Sequence, residues 1–512
     1  MRHSMSTETT TANRSEKGRA YGAFIGALVG DALGAPFEFR QAGLYDERFP
    51  TPVLGGVGEM VGGGGFGWAP GEFTDDSQMG LALAEALLEA KGYDPDVVWR
   101  WFRAWSTTAA DMGMATRTAL SFDDWRSVSH SGQAAGNGAL MRTFTLALAF
   151  LTTDSAELQE LVMHQSALTH NAPAAGAGAW IAVEMMRVAI SGGDPLASLP
   201  SILATLSPSM RDEFAPLLSP EWVPSASPSN GSVWGCLAQA VYCLRTTSSF
   251  EGAVTAAVNM GSDTDTVACV TGALAGAVYG VQAIPSRWTT YVHGHIEGPH
   301  GRVDYRYPDV QRIAARLIGA RDKHENAPDP AAGPQEVAPG LFAANIGGAA
   351  TAPVEWAVVS LCRTGDMFVN HPVRRQVFLI DQEGDHNPGL ESALRDAVDS
   401  VQAFLAELEQ DTARHHLLPV VAWTGEIVGV VALDQLERVP PAVRASVRVQ
   451  DVAMPLAGLA RTTPDASLLE AAPSAVGVAA ALRIGFARSE PLLCAMVALV
   501  DSLASIPAAR GC

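Results

Sequence analysis

The stretch NMGSDTDTVACVTGALAGAVYG, residues 259–280, places two aspartates and two threonines, Asp263 to Thr266, at the mouth of a run of small apolar residues. After Asp265 no charged residue follows up to Gly280, so the run reads as a buried helix. Its charge at the helix mouth has two readings. Asp and Thr can cap free backbone N–H groups and complement the helix dipole. Alternatively, carboxylates that must be buried call for cations, and oxygen donors in this number suit a hard divalent ion.

A second segment repeats the pattern. FTDDS, residues 73–77, leads into MGLALAEALLEAKG (79–92). A third, GDALGAPFE at 30–38, sets Asp31 and Glu38 on either side of a Gly-Pro break. Capping needs one such residue, or two, and leaves the remaining charge without a purpose. Lysine and arginine are sparse around all three segments, and no His/Cys pattern suggests zinc.

From about residue 18 to 318 the pattern is helical nearly throughout, as in PDVVWRWFRAWSTTA (95–109), AELQELVMHQSALTH (156–170) and GAGAWIAVEMMRVAISGG (176–193). Gly22, Gly26, Gly30 and Gly34 recur at every fourth position of the first helix, a smooth groove for close helix packing. Residues 1–17 read as a loose polar tail, 18–320 as an all-α domain, and 321–340, rich in Pro and Ala, as a linker. Beyond it WAVVSLC (356–362) and RQVFLIDQ (375–382) read as strands, 391–410 as an amphipathic helix, and 417–439 as strand, turn, strand, helix: a smaller α/β region.

With 512 residues the chain has length for two or three domains, and 54 acidic against 34 basic side chains give a net charge of −20. Such a surface repels polyanions, so neither nucleic acid nor an anionic membrane face is an expected partner. Six scattered cysteines lack paired spacing and read as reduced thiols. The apolar run near the N-terminus is cut by Asp31, and the leader carries Glu8 and Glu16; the expectation is a cytoplasmic protein.

Five segments, GDALGAPFE, FTDDS, GNGALMR (136–142), SALTH (166–170) and GSDTDT (261–266), occur in the order and spacing of the ADP-ribosylglycohydrolases, and over 18–318 the chain resembles that family. The resemblance implies an orthogonal all-α fold with two metal ions, magnesium or manganese. The implied reaction is hydrolytic removal of ADP-ribose from a protein side chain or small acceptor at the ribose anomeric carbon. It further implies that Thr74, Asp75 and Asp76 form one set of metal ligands and Asp263, Asp265 and Thr266 the other. Glu38 matches the acidic residue beside the scissile bond; Gly136 and Asn137 match a phosphate-contacting loop, and His170 a ligand-contacting histidine. Gly261 and Ser262 would form part of the same wall. The bland alternatives are an exposed acid at Glu38 and a structural histidine at His170; His164 reads as structural, and Arg142 as the partner of a buried acid. A non-catalytic ADP-ribose-binding or immunity-type module of the same fold is the rival to an enzyme.

Residues 341–412 resemble the front half of a dual-specificity phosphatase without its HCx5R loop, since Cys362 is followed directly by Arg363. Residues 413–512 carry a short resemblance to a CBS-type module, which could bind an adenine nucleotide or serve only as packing.

Overall fold

The computed structural model describes residues 14–319 apart from 54–56, 129–134 and 226–227, together with His3–Ser4 and short segments between 334 and 455. The chain divides into two compact units. One comprises Met1–Glu325, Val358–Asn370 and Arg374–Ala397; the other comprises Asn326–Ala357, His371–Val373 and Val398–Cys512.

The described part of the first unit is mostly helical. Its early helices are α1 (Arg14–Gly34), α2 (Leu44–Arg48), α3 (Asp75–Ala90), α4 (Pro95–Trp105), α5 (Met114–Leu120), α6 (Phe144–Ala149) and α7 (Ser155–Ala167). They continue as α8 (Pro173–Ile190), α9 (Leu199–Ala204), α10 (Pro208–Phe214), α11 (Val233–Thr246), α12 (Phe250–Val258), α13 (Thr264–Tyr279), α14 (Ser286–Thr289) and α15 (Tyr307–Leu317).

The pair α1 and α13 forms the centre, and small residues explain why. The two helices run antiparallel and so close that a Cβ on Gly26 would stand 2.2 Å from the Gly272 carbonyl oxygen, and one on Gly272 2.0 Å from that of Gly26. Gly22 faces Gly276 and Gly30 faces Ala268 in the same way, so every fourth residue of α1 is glycine because backbone meets backbone there. The register ends with Gly34 against Thr264 and Asp265, where the Thr264 hydroxyl donates to the Gly34 carbonyl at 2.9 Å. Thr264 thus fastens the start of α13 to the end of α1. Helix pairing brings the carboxyl end of α1, with Asp31, against the amino end of α13.

A window within Glu16–Phe37 is long and apolar enough to cross a membrane by length and composition, and all of it is buried inside this fold. Around α1 and α13 pack large side chains; Phe24 meets Phe144 edge-on with ring centroids 5.1 Å apart, beside the glycine at position 80.

Besides the two-residue pairing of His3–Ser4 with Gly92–Tyr93, a hairpin beside the acidic segments departs from the all-α expectation. His293–Gly298 and Gly301–Arg306 form an antiparallel hairpin, paired from His293 with Arg306 to Gly298 with Gly301. The strict burial alternation along His293–Gly298 follows from its period-two pattern, which was hidden in a Gly-, His- and Pro-rich stretch. The hairpin positions the acidic segment: Phe73 N donates to the His293 carbonyl and His293 N to that of Gly71, both at 3.0 Å.

Of the later strands, Val358–Ser360 pairs in parallel with Arg374–Gln376. In the second unit Gln335–Ala338 pairs with Leu341–Ala343, and Ile427–Ala432 lies between Leu417–Val421 and Met454–Pro455, all antiparallel. The helix expected at 391–410 lies outside the described residues, as do most positions behind the phosphatase-like and CBS-like readings.

Candidate metal and ligand site

The capping reading can be tested helix by helix. Asp94, Asp154, Ser232 and Ser249 each accept a hydrogen bond from a backbone N–H in the first turn of the helix they precede. Thr74 and Asp263 occupy the same position before α3 and α13, and neither side chain caps its helix. The amino end of α3 is capped by Asp31 from α1 instead. Thr74 N donates to both Asp31 oxygens at 3.0 Å, and Ser77 N and Oγ donate to Oδ2 at 3.0 and 2.5 Å. Thr74 Oγ1 also donates to Asp31 Oδ1 at 2.8 Å. Asp75, Asp76 and Asp263 thus have no capping contact with their helices, while Asp265 Oδ1 accepts from the first-turn Thr266 N at 3.0 Å.

These side chains converge. Ligand atoms of Asp31, Asp76 and Asp265 lie within 4.8 Å of one another, as do those of Glu38, Asp263 and Asp265, and those of Asp75, Asp111 and Asp265. Asp265 belongs to all three groups. Thr74 Oγ1 stands 3.5 Å from Asp265 Oδ2, and the Thr266 hydroxyl donates to Asp76 Oδ2 at 3.3 Å. Asp76 Oδ1 and Glu38 Oε2 are buried with no hydrogen-bond partner among the described residues. A buried polar atom without a partner is costly, and these two belong to side chains of the acidic cluster, where a ligand would satisfy them.

Charge leads to the same conclusion. Elsewhere in this unit the buried acid Glu59 is paired with Arg287 at 3.1 Å and with the Trp288 indole N–H at 2.7 Å. Among the described residues, none of the clustered acids has an ion pair to Lys or Arg. Burial, opposed by the Ser77 and Thr74 hydrogen bonds, raises Asp31 to about 6. Burial and the neighbouring charges of Asp111, Asp263 and Asp31 raise Glu38 to about 8. Asp75, Asp76 and Asp265 are raised well above the carboxylate range, first by burial and then by their acidic neighbours. An all-oxygen donor set with unpartnered atoms and uncompensated charge fits a hard divalent cation.

The wall of the site is built from loops. Phe39 N donates to the Ser262 carbonyl at 2.6 Å and Ser262 N to that of Arg40 at 2.8 Å, which ties the Glu38 segment to GSDTDT. Phe39 and Ser262 both take left-handed backbone conformations, φ +60° and +61°, a local cost accepted at this junction. Asn137 Nδ2 donates to Asp263 Oδ2 at 2.8 Å and to the Asn230 carbonyl at 3.0 Å. Asn230 in turn donates to the Gly261 carbonyl at 2.9 Å. Gly136 pairs with Ser232 across an antiparallel bridge. His170 stands apart from the acids, its ring against Gly136 and Gly138.

Three residues of this cluster were not among the expected ligands. Asp31 lay in a noted segment without a role. Asp111, on the loop before α5, carries no motif, since one acid in a polar loop is indistinguishable from a solvated one. Asn230 shows itself only through its burial and hydrogen bonds. Among the described residues Arg142 lacks the expected acid partner: the guanidinium is bonded to Gln165 and Thr169 oxygens and to Met79 Sδ. His164 accepts or donates at 2.7 Å with the Tyr93 hydroxyl, as a packing histidine does.

An all-helical scaffold whose central glycine-packed pair delivers buried acids to one point defines a class, and comparison names it: the ADP-ribosylglycohydrolase family model matches residues 12–327, and the chain belongs to that family. It is 31% identical over 331 residues to the ADP-ribosylarginine hydrolase Tri1 of Pseudomonas putida (strain GB-1), covering 59% of this chain and 82% of that one. It is 31% identical over 283 residues to the ADP-ribosyl-[dinitrogen reductase] glycohydrolase of Rhodospirillum rubrum, covering 54% and 92%. Identity to ADP-ribosylhydrolase ARH3 of Homo sapiens is 23% over 337 residues, covering 54% and 90%.

Proposed function

We propose that this protein is a divalent-cation-dependent hydrolase that releases ADP-ribose from an arginine-linked protein adduct. The observation that carries the reading is the convergence of Glu38, Asp75, Asp76, Asp111, Asp263 and Asp265, none of which forms an ion pair with Lys or Arg among the described residues. Family membership supports the hydrolase chemistry, and the arginine linkage is supported by the printed activity of the Pseudomonas putida relative.

Thr74, Asp75, Asp76, Asp263, Asp265 and Thr266 would hold two ions, magnesium or manganese, with Asp111 as a further donor from its loop. Bound there, the ions would neutralise the acids and polarise ribose hydroxyls and water. Glu38 is the group placed to move a proton. Its carboxylate lies in the cluster, its Oε2 has no hydrogen-bond partner among the described residues, and its raised affinity for protons suits an acid or base near neutral pH. In the reaction the bond from the anomeric carbon to the acceptor nitrogen breaks and water oxygen takes its place; one proton leaves the water and one reaches the departing nitrogen. Asn137, fixed by Asn230, orients Asp263 and carries the loop of Gly136 to Gly138, whose backbone suits the diphosphate. Gly261 and Ser262 form the wall opposite Arg40. The enzyme would be cytoplasmic and act on modified proteins; the net acidity of the chain supports proteins over nucleic acid as its substrates.

The test is incubation with Mg²⁺ or Mn²⁺ and proteins ADP-ribosylated on arginine or on serine, followed by chromatography of released ADP-ribose. Release from the arginine adduct supports the reading. Release only from serine moves the linkage, and tight binding of ADP-ribose with no release from either adduct replaces the enzyme by a binding module.

A further inference from the structure

We propose that Arg142 is a positioning residue which, through Thr169, fixes His170 as the Nε2–H tautomer and so makes it a hydrogen-bond donor to an anionic ligand at the Gly136–Gly138 loop. The identity of that anion as a diphosphate rests on the reading above; the tautomer does not.

Arg142 is wholly buried, and its neighbours are unusual for a buried guanidinium. Nε donates to Gln165 Oε1 at 2.5 Å, and Nη2 donates to the Gln165 carbonyl at 3.2 Å and to Thr169 Oγ1 at 2.9 Å. The Phe102 ring centroid lies 4.6 Å from the guanidinium carbon. Among the described residues no carboxylate pairs with it.

The direction of the next hydrogen bond follows from donor inventory. A guanidinium only donates, so Thr169 Oγ1 accepts from it. The threonine's single hydroxyl proton is then available to the other contact of that oxygen, His170 Nδ1 at 2.9 Å. If Nδ1 carried the proton, Thr169 would accept twice and its own O–H would be left buried without a partner, at a cost. The network therefore assigns the ring proton to Nε2.

The ring is also clamped. His170 N donates to the Ser166 carbonyl at 2.8 Å, and the Ser166 hydroxyl donates back to the His170 carbonyl at 3.3 Å. A Cβ on Gly138 would stand 2.7 Å from His170 Cε1 and 3.0 Å from Nε2, and one on Gly136 3.4 Å from Nε2. Glycine at 138 is thus required by the imidazole. Nε2 has no partner among the described residues and abuts the loop. Burial, and then the Arg142 charge, lower His170 to about 3, so the ring stays a neutral donor at any working pH. The guanidinium charge behind it favours an anion in front.

Side-chain ¹⁵N NMR of the full-length protein, with His170→Gln for assignment, reads the tautomer directly. Titration calorimetry with ADP-ribose and Mg²⁺ reads the donor. Wild type and Thr169→Ser are expected to show protonated Nε2 and bare Nδ1. Thr169→Val is expected to lose that preference and bind ADP-ribose ~10-fold more weakly, the scale of one hydrogen bond to a charged group. A wild type with protonated Nδ1 overturns the proposal, even if the valine variant fails to fold. A folded Thr169→Val that binds as tightly as wild type overturns it too. A wild type that binds ADP-ribose through Nε2–H but hydrolyses no adduct sinks the enzyme reading and leaves this one standing.

Discussion

Asp31 and Ser77 form a cap that spans two helices: the carboxylate on α1 accepts from both the backbone N–H and the hydroxyl of the serine in the first turn of α3. The same carboxylate holds Thr74, so the segment that carries Asp75 and Asp76 is fastened to the helix that packs on α13. Replacing Asp31 by Ala leaves these donors buried without an acceptor and should destabilise the protein by ~1–3 kcal/mol. Urea denaturation checks it, and cation affinity should fall together with stability. An unchanged midpoint would mean that α3 is held by something else.

The backbone contact between Gly26 and Gly272 predicts a severe response to a single methyl group. Gly26→Ala or Gly272→Ala must push α1 and α13 apart, because the obstacle is a carbonyl oxygen and not a flexible side chain. The expected loss is ~1–3 kcal/mol or more, read as a lower melting temperature. Gly65→Ala, where a Cβ meets nothing within 4 Å, is the control.

Stability without divalent cations should fall as pH rises. Asp31 is raised from 3.8 to about 6 and Glu38 from 4.5 to about 8, so between those limits the folded protein binds more protons than the unfolded chain. Folding is then favoured at acidic pH and weakened progressively from about pH 4 to 8 as these groups ionise in place. Melting curves in EDTA across that range should slope downward, and added Mg²⁺ or Mn²⁺ should flatten the slope. A flat profile in EDTA would argue against uncompensated acids in the fold.

Two substitutions should separate proton transfer from cation binding. Glu38→Gln is expected to lower kcat by ~10²- to 10⁴-fold while ADP-ribose and cation binding persist. Asp265→Asn, at the residue common to all three acidic groups, should weaken cation binding by ~10- to 100-fold or more and reduce activity with it. Calorimetry with Mn²⁺ beside initial-rate measurements tells them apart; equal loss of both properties in Glu38→Gln would remove its separate role.

Much of the candidate site was legible because its residues come in unusual local runs. Asp-x-Asp-Thr before a small-residue helix, and Thr-Asp-Asp before another, stand out against ordinary capping by their excess charge. Asp111 and Asn230 did not stand out, since each is a single polar residue in a loop and acquires meaning only from what faces it. The hairpin at 293–306 is not legible in the sequence because its alternation runs through glycine and histidine, which carry little strand signal.

By itself the sequence determined the mostly helical scaffold of the described first unit, the four-residue glycine repeat of α1, and the acids at 73–77 and 261–266. Those depend on local periodicity and composition, which any stretch of chain displays. Only the tertiary structure decided that Asp31 caps α3 from another helix, that Arg142 faces neutral oxygens, and that Thr169 stands between Arg142 and His170 Nδ1. Hydrogen-bond direction depends on which donor and acceptor the packing brings together, and residues far apart in the chain meet only when the fold is made.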